Sequence, residues 1–345
     1  MPRQGRLHVP HGIYYVRDAF CRGLQVLAVD PGTSHTAEEL ERIQANRQRY
    51  ESQLQTVTRR WGAKVHAYCW LPDAALMLIE VAYTPLEDIL HTLRGSFSHY
   101  LHREAGLSQR PYQGRYAALL VEPDEFLIDC TRHIVCQPVE KGLCKNAWTY
   151  EHSSLHAWVK AAPVPEFLAS SAVPQALEAL GIHLPSGLRR FLLARHVPGF
   201  DTLLRRGSRE DSRVMGRAPF VREAHRAAQR TRRITSPELV TRWVSQFVTI
   251  EPDPPHNSER SAPGLIPALS AWLITSSGTA SLSEVARWFH VNKATLHKRI
   301  ERYSQTRSTL FSQHTLAQFL TFLAEVDLEE RHDAPNSVDS EPADA

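Results

Sequence analysis

The chain lacks any long apolar run. In its 345 residues the longest such stretch lies around Ala74 to Ile79, far short of the ~20 residues a membrane helix needs. The opening MPRQGRL has no apolar core and no cleavage site, so no secretory leader is expected. Five cysteines at 21, 69, 130, 136 and 144 form no C-x-x-C pair. That pattern excludes a zinc knuckle and a disulfide framework and points to reduced thiols in a cytoplasm. No internal repeat is present, which excludes a solenoid. Hydrophobic residues make up 42% and charged residues 22%, close to the globular average, so wholesale disorder is excluded too. The length suggests two or three domains.

The net charge of +3 hides an asymmetry. Residues 325–345 hold eight acids against Arg331, a net of −7, which leaves +10 on residues 1–324. Between Gly181 and Arg233 there are thirteen Arg, no Lys and four acids, a net of +9. Such a stretch attracts polyanions, or is a set of solvated helix faces. The tail DAPNSVDSEPADA reads as disordered, and it is expected to compete with DNA for the Arg-rich middle.

Apolar patterning gives the order β-β-α-β-β-α-β-α over the first 150 residues or so. HGIYYVRD and GLQVLAVD read as strands. Residues 37–61 place Leu40, Ile43, Tyr50, Leu54 and Val57 on one helical face. KVHAYCWL and AALMLIEVA flank a turn at Leu71-Pro72-Asp73. Residues 85–105 read as a helix opened by Pro85, RYAALLVE as a strand, and PDEFLIDCTRHIVCQ as a helix stopped by Pro138. The expected divisions are an α+β domain at 1–158, an Arg-rich helical region at 159–250, a Pro-rich linker at 251–264, an all-α domain at 265–325 and an acidic disordered tail at 326–345.

Five segments carry a family resemblance. MPRQGRLHVPHGIYYV, VHAYCWLPDAALMLIE, YQGRYAALLVEPDEFLIDCTRHIVCQPVEKGL and YEHSSLHAW occur in the order found in the REP-associated tyrosine transposases, a single-tyrosine group, which they resemble. RVMGRAPFVREA, around Gly216 to Ala224, weakly resembles a later segment of longer members. The resemblance implies a ferredoxin-like antiparallel sheet with helices, hairpin or single-stranded DNA as substrate, a divalent metal, and often a homodimer. In that family a Tyr hydroxyl attacks a DNA phosphate. Two His on one strand face, with an amide from the catalytic helix, hold the metal that polarises the phosphate.

This sequence departs from the pattern at the centre. Where the family has a polar residue, His, an apolar residue and His, it reads Asp73, Ala74, Ala75 and Leu76. The nucleophile's position is His133, and Gln137 stands at the amide ligand. Alkyl groups cannot bind a metal, so the cleavage reaction and its metal are expected to be lost. A substitute site of His133, Gln137 and Asp73 is the alternative. Tyr68, Tyr100, Tyr112 and Tyr116 are other hydroxyls, none at the family's position. A basic surface remains: Arg94, His99, Arg103, Arg110, the Gln113-Gly114-Arg115 turn and Arg132, interleaved with Tyr112 and Tyr116. These types suit phosphates and stacked bases, and each is equally a surface ion-pair partner.

LSEVARWFHVNKATLHKRIE (282–301) fits a helix-turn-helix. Leu282, Val285, Ala286 and Phe289 form one inward face and Leu296, Ile300 and Tyr303 the other. His290-Val291-Asn292 make the turn, with His290 at the usual Gly position and Asn292 as N-cap. Lys293, Thr295, His297, Lys298, Arg299 and Arg302 then point outward, as a major-groove helix requires. The segment resembles the terminal helix-turn-helix of the bacterial replication initiator; the alternative is an ordinary helical hairpin. Residues 314–325 read as a packing helix or a dimer seam. The combined reading is a cytoplasmic, sequence-specific DNA-binding protein or transcriptional regulator without intact catalytic residues. Duplex DNA would bind the helix-turn-helix, and hairpin or single-stranded DNA the first domain. The alternatives are an active nickase with relocated ligands, a decaying pseudotransposase and a binder of structured RNA.

Overall fold

A computed structural model describes residues 7–159, 163–169, 171–194, 196–234, 236–250, 264–277 and 279–333. The expected linker, apart from Gly264, and the tail from 334 onward lie outside these residues. The chain divides into two compact units, 1–225 and 226–345. Among the described residues no helix is long and apolar enough to cross a membrane.

The first unit runs β1 (Ile13–Ala19), α1 (Ala37–Trp61), β2 (Lys64–Trp70), β3 (Ala74–Glu80), α2 (Leu86–Arg103), β4 (Ala117–Val121) and α3 (Pro123–Glu140). Short helices follow: α4 (Ser154–Trp158), α5 (Ala172–Ala179), α6 (Leu188–Leu193) and α7 (Phe200–Arg206). Then comes β5 (Val214–Met215), and α8 (Ala218–Ile234) runs across the boundary at residue 225.

The sheet order is β2-β3-β1-β4-β5. β1 is antiparallel to β3 and β4, and β2 is antiparallel to β3. β5 joins β4 in parallel, so the sheet is mixed where a wholly antiparallel one was expected. The reason lies in residues 159–225, which the sequence reading had set apart and which complete the first unit. Leu120 N–H donates to the Arg213 carbonyl (2.8 Å) and Glu122 N–H to that of Met215 (2.9 Å). The Glu122 carboxylate accepts from the Arg217 backbone at 2.7 Å and from its guanidinium at 2.8 Å.

The expected strand at 23–30 does not form: β1 is already flanked by β3 and β4, and residues 23–30 join no other strand of the sheet. Val26, Leu27 and Ala28 are buried without joining the sheet, and Val26 N–H donates to the Pro72 carbonyl (3.3 Å). In α1, capped by Thr36 and Glu39, the inward face holds Ile43, Tyr50, Leu54 and Val57. Leu40 is instead exposed; it sits in the first turn, before the helix meets the sheet. α3 continues through Pro138 to Glu140. Proline forfeits only its own N–H bond there, and its carbonyl still accepts from Leu143 N–H (2.8 Å).

Residues opposite one another in an antiparallel ladder point to the same face. Ala19–Ala74, Arg17–Leu76 and Tyr15–Leu78 are such pairs, and Tyr15 meets the ring of His133 on α3. That face is therefore the α3 side. The other carries Tyr14, Val16 and Asp18, and Asp18 meets Arg94 of α2.

The second unit contains α9 (Pro237–Ile250), α10 (Leu265–Ser277), α11 (Leu282–Trp288), α12 (Lys293–Thr306) and α13 (Gln313–Asp333). α10, buried at Leu265, Ala268, Leu269, Ala271, Leu273 and Ile274, packs against α9, α11, α12 and α13. α13 extends to Asp333, past the expected start of the disordered tail at 326; Leu328, Glu329, Glu330 and Arg331 are good helix formers.

Candidate functional site

On the α3 face the resemblance places two metal-binding imidazoles and a nucleophile. Ala74 and Leu76 stand there fully buried, and a methyl and an isobutyl group offer a metal no donor. The residues present do not fit a divalent ion. Among the described residues no three His, Cys, Asp or Glu side chains gather to hold one.

Opposite these strands, His133 Nε2 lies 3.5 Å from the Tyr15 hydroxyl, at the outer limit of a hydrogen bond. Burial, with His196 adding to it, pushes the His133 imidazole down to about 4, a shift Asp201 partly opposes. Burial also raises the Tyr15 phenol. The pair is thus a neutral ring beside an un-ionised, inaccessible hydroxyl. The parts of the substitute site are engaged elsewhere. Gln137 donates to the Glu140 carboxylate, while Asp73 pairs with Lys141 (2.8 Å) and Arg17 (4.0 Å).

Arg132 departs from the expectation of a phosphate contact. It is 5% exposed and ion-paired with Asp129 one turn earlier. Asp129 also pairs with His196 Nδ1 (2.9 Å), whose ring stacks on Phe200 (4.3 Å). Nothing in the sequence signalled that His196 would reach α3. Tyr68, Tyr112 and Tyr116 are buried, and Tyr112 and Tyr116 line the cleft between α2 and residues 110–116. Tyr100, half-buried, lies beneath the Arg49 guanidinium (5.4 Å).

The other face of the sheet builds a cleft of about 460 Å³ between α2 and residues 110–116. Arg94 forms its floor. Arg94 Nε lies 3.2 Å from the Asp18 carboxylate, its Nη2 donates to the Gly114 carbonyl, and its guanidinium covers the Tyr112 ring at 4.2 Å. Asp18 is 1% exposed, and a charge so deep in the core is kept only by its partner. An Asp at an inward position of IYYVRDA was the one readable sign of this pair. Arg110 and Arg115 are exposed at the cleft with no acidic partner among the described residues. His91, Gly95 and Ser98 share the α2 wall, and Glu87 is the acid in the lining. Sequence reasoning found Arg94, Arg110 and Arg115 but missed His91 and Gly95. His99 and Arg103 are exposed on α2 and do not line the cleft.

In the second unit, Ser281 and Glu284 cap α11 reciprocally. His290 adopts φ +51°, the turn geometry expected of it. Asn292 Oδ1 accepts from Ala294 N–H (2.8 Å) and starts α12. Val285, Ala286, Leu296 and Tyr303 are buried, whereas Lys293, Thr295, His297, Lys298 and Arg302 are exposed. Arg302 lies over the Tyr303 ring (4.6 Å). Arg299 is half-buried and departs from the expected outward set. Its Cδ would be 3.2 Å from a Cβ placed on Gly264, so it lies against the start of α10.

No protein-family model matches the chain, and no curated protein matches it. Among solved structures it is similar to one described as a REP-associated tyrosine transposase bound to a REP hairpin, at 16% identity and a TM-score of 0.38. The match covers 50% of this chain and 93% of the other.

Proposed function

We propose that the chain is a sequence-specific DNA-binding protein, a regulator derived from a REP-associated tyrosine transposase that no longer cleaves DNA. The observation that carries this reading is the division of α12. Its apolar positions Leu296 and Tyr303 are buried, while Lys293, Thr295, His297, Lys298 and Arg302 form an exposed basic and polar face. Such a helix, preceded by α11 and a tight turn, is the arrangement that reads base edges in a major groove. The βαββαβ succession from β1 to β4, with spatial order β2-β3-β1-β4, supports a ferredoxin-like reading of the first unit. The alkyl side chains of Ala74 and Leu76 support loss of the cleavage chemistry.

The test is a genome-wide footprint of the tagged protein, followed by duplex binding in vitro. A discrete duplex motif is expected, and Lys298→Ala is expected to relax specificity by about 1–3 kcal/mol at one position. Metal-dependent strand cleavage with a covalent protein–DNA adduct would overturn the loss of catalysis. Preferential competition by structured RNA at matched salt would replace DNA as the partner.

A further inference from the structure

We propose that the cleft between α2 and residues 110–116 is a binding site for a small organic phosphate, separate from the DNA-reading surface of α12. Three observations converge on it. Its volume of about 460 Å³ lies within the ~300–1,000 Å³ of small-ligand sites. Its cations are unequal in kind. Arg94 is locked in place by Asp18, Gly114 and Tyr112, whereas Arg110 and Arg115 are exposed with no acidic partner among the described residues. A fixed guanidinium below two uncommitted ones is an arrangement that grips the oxygens of a phosphate.

The third observation is Gly95. It stands in the interior of an 18-residue helix, where glycine is destabilising relative to alanine. A Cβ there would meet no atom within 4 Å, so packing within the chain does not require the glycine. It leaves a dent in the cleft wall between His91 and Ser98 that a ligand can enter. A nucleic-acid strand needs a groove that follows its backbone. Here Arg94, Arg110 and Arg115 line one pocket, while His99 and Arg103 on the same helix lie outside it, so a single small anion fits better. Glu87 in the lining opposes a ligand of higher charge density.

The test is calorimetric titration of the full chain with adenosine 5′-monophosphate, pyrophosphate and a single-stranded DNA decamer, at fixed ionic strength. Saturable one-to-one binding of a small phosphate is expected. Adenosine monophosphate alone binding would identify a nucleotide; pyrophosphate binding as well would identify the phosphate group as sufficient. Arg110→Ala and Arg115→Ala should each weaken binding by about tenfold or more. Gly95→Leu should abolish it without lowering the melting temperature, which separates blockage of the site from misfolding. The proposal fails if neither small phosphate binds, or if the three variants bind as the parent does. It fails equally if the decamer alone depends on these residues, since the cleft would then be a strand groove. Duplex binding through α12, measured on the same variants, is expected to be unchanged and reports on the regulatory reading independently.

Discussion

His133 shows how one side chain ties the interior to acidity. It shares its direction of shift with His8 and His152, each pushed by burial to about 4. An unfolded chain takes up these protons near 6.5. The native state is therefore favoured above that value and loses the contribution as pH falls from about 6.5 toward 4, at ~1.4 kcal/mol per pKa unit for each group. Denaturant midpoints measured from pH 7 to 4 should fall steeply, and His133→Gln should make the dependence shallower by about one proton. Asp18 is the second telling residue. Its replacement by Ala leaves Arg94 without its buried partner, and the expected loss is roughly 3–5 kcal/mol, read as a drop in the unfolding midpoint. That Arg94 served the core as well as a surface was hidden in the sequence, because its partner lies on β1, far away along the chain. Arg132 was hidden for the same reason, with Asp129 in sequence view but His196 not.

At the level of elements, what could be read was what local chemistry dictates. The helix starting at Pro85, the turn at His290 and the cap at Asn292 follow from φ preferences and side-chain acceptors within a few residues. These support two expectations for the second unit. His290→Gly relieves the positive φ and should stabilise it by about 0.5–1 kcal/mol, whereas Asn292→Ala should cost ~1 kcal/mol. Opposite shifts of the same melting transition would check both. What could not be read was pairing. The apolar run GLQVLAVD has strand chemistry, yet it is buried beside the Pro72 turn without joining a ladder, and the two-residue β5 has too little sequence to announce itself. That Ala74 and Leu76 offer a metal no donor was legible from the residue types alone. The cleft was only half legible, because a helical glycine gains meaning only when its empty surroundings are known.

Across the whole molecule, charge is the feature most exposed to test. The surplus of +10 on residues 1–324 predicts DNA binding that weakens linearly on a logarithmic salt scale, with a slope near −0.9 per phosphate contacted. Replacing an exposed cation that contacts a phosphate and no base edge should flatten that slope by about one, while leaving sequence preference intact.

The five-stranded sheet also governs how the protein can be divided. A fragment ending at Trp158 would strip β5 from β4 and leave the N–H groups of Leu120 and Glu122 without the carbonyls of Arg213 and Met215. Such a bare strand is a template on which a second copy can add itself. Working fragments should therefore run past β5 and through the end of α8 at Ile234, and an aggregated shorter piece would reflect the wrong scissors position and not an unstable fold.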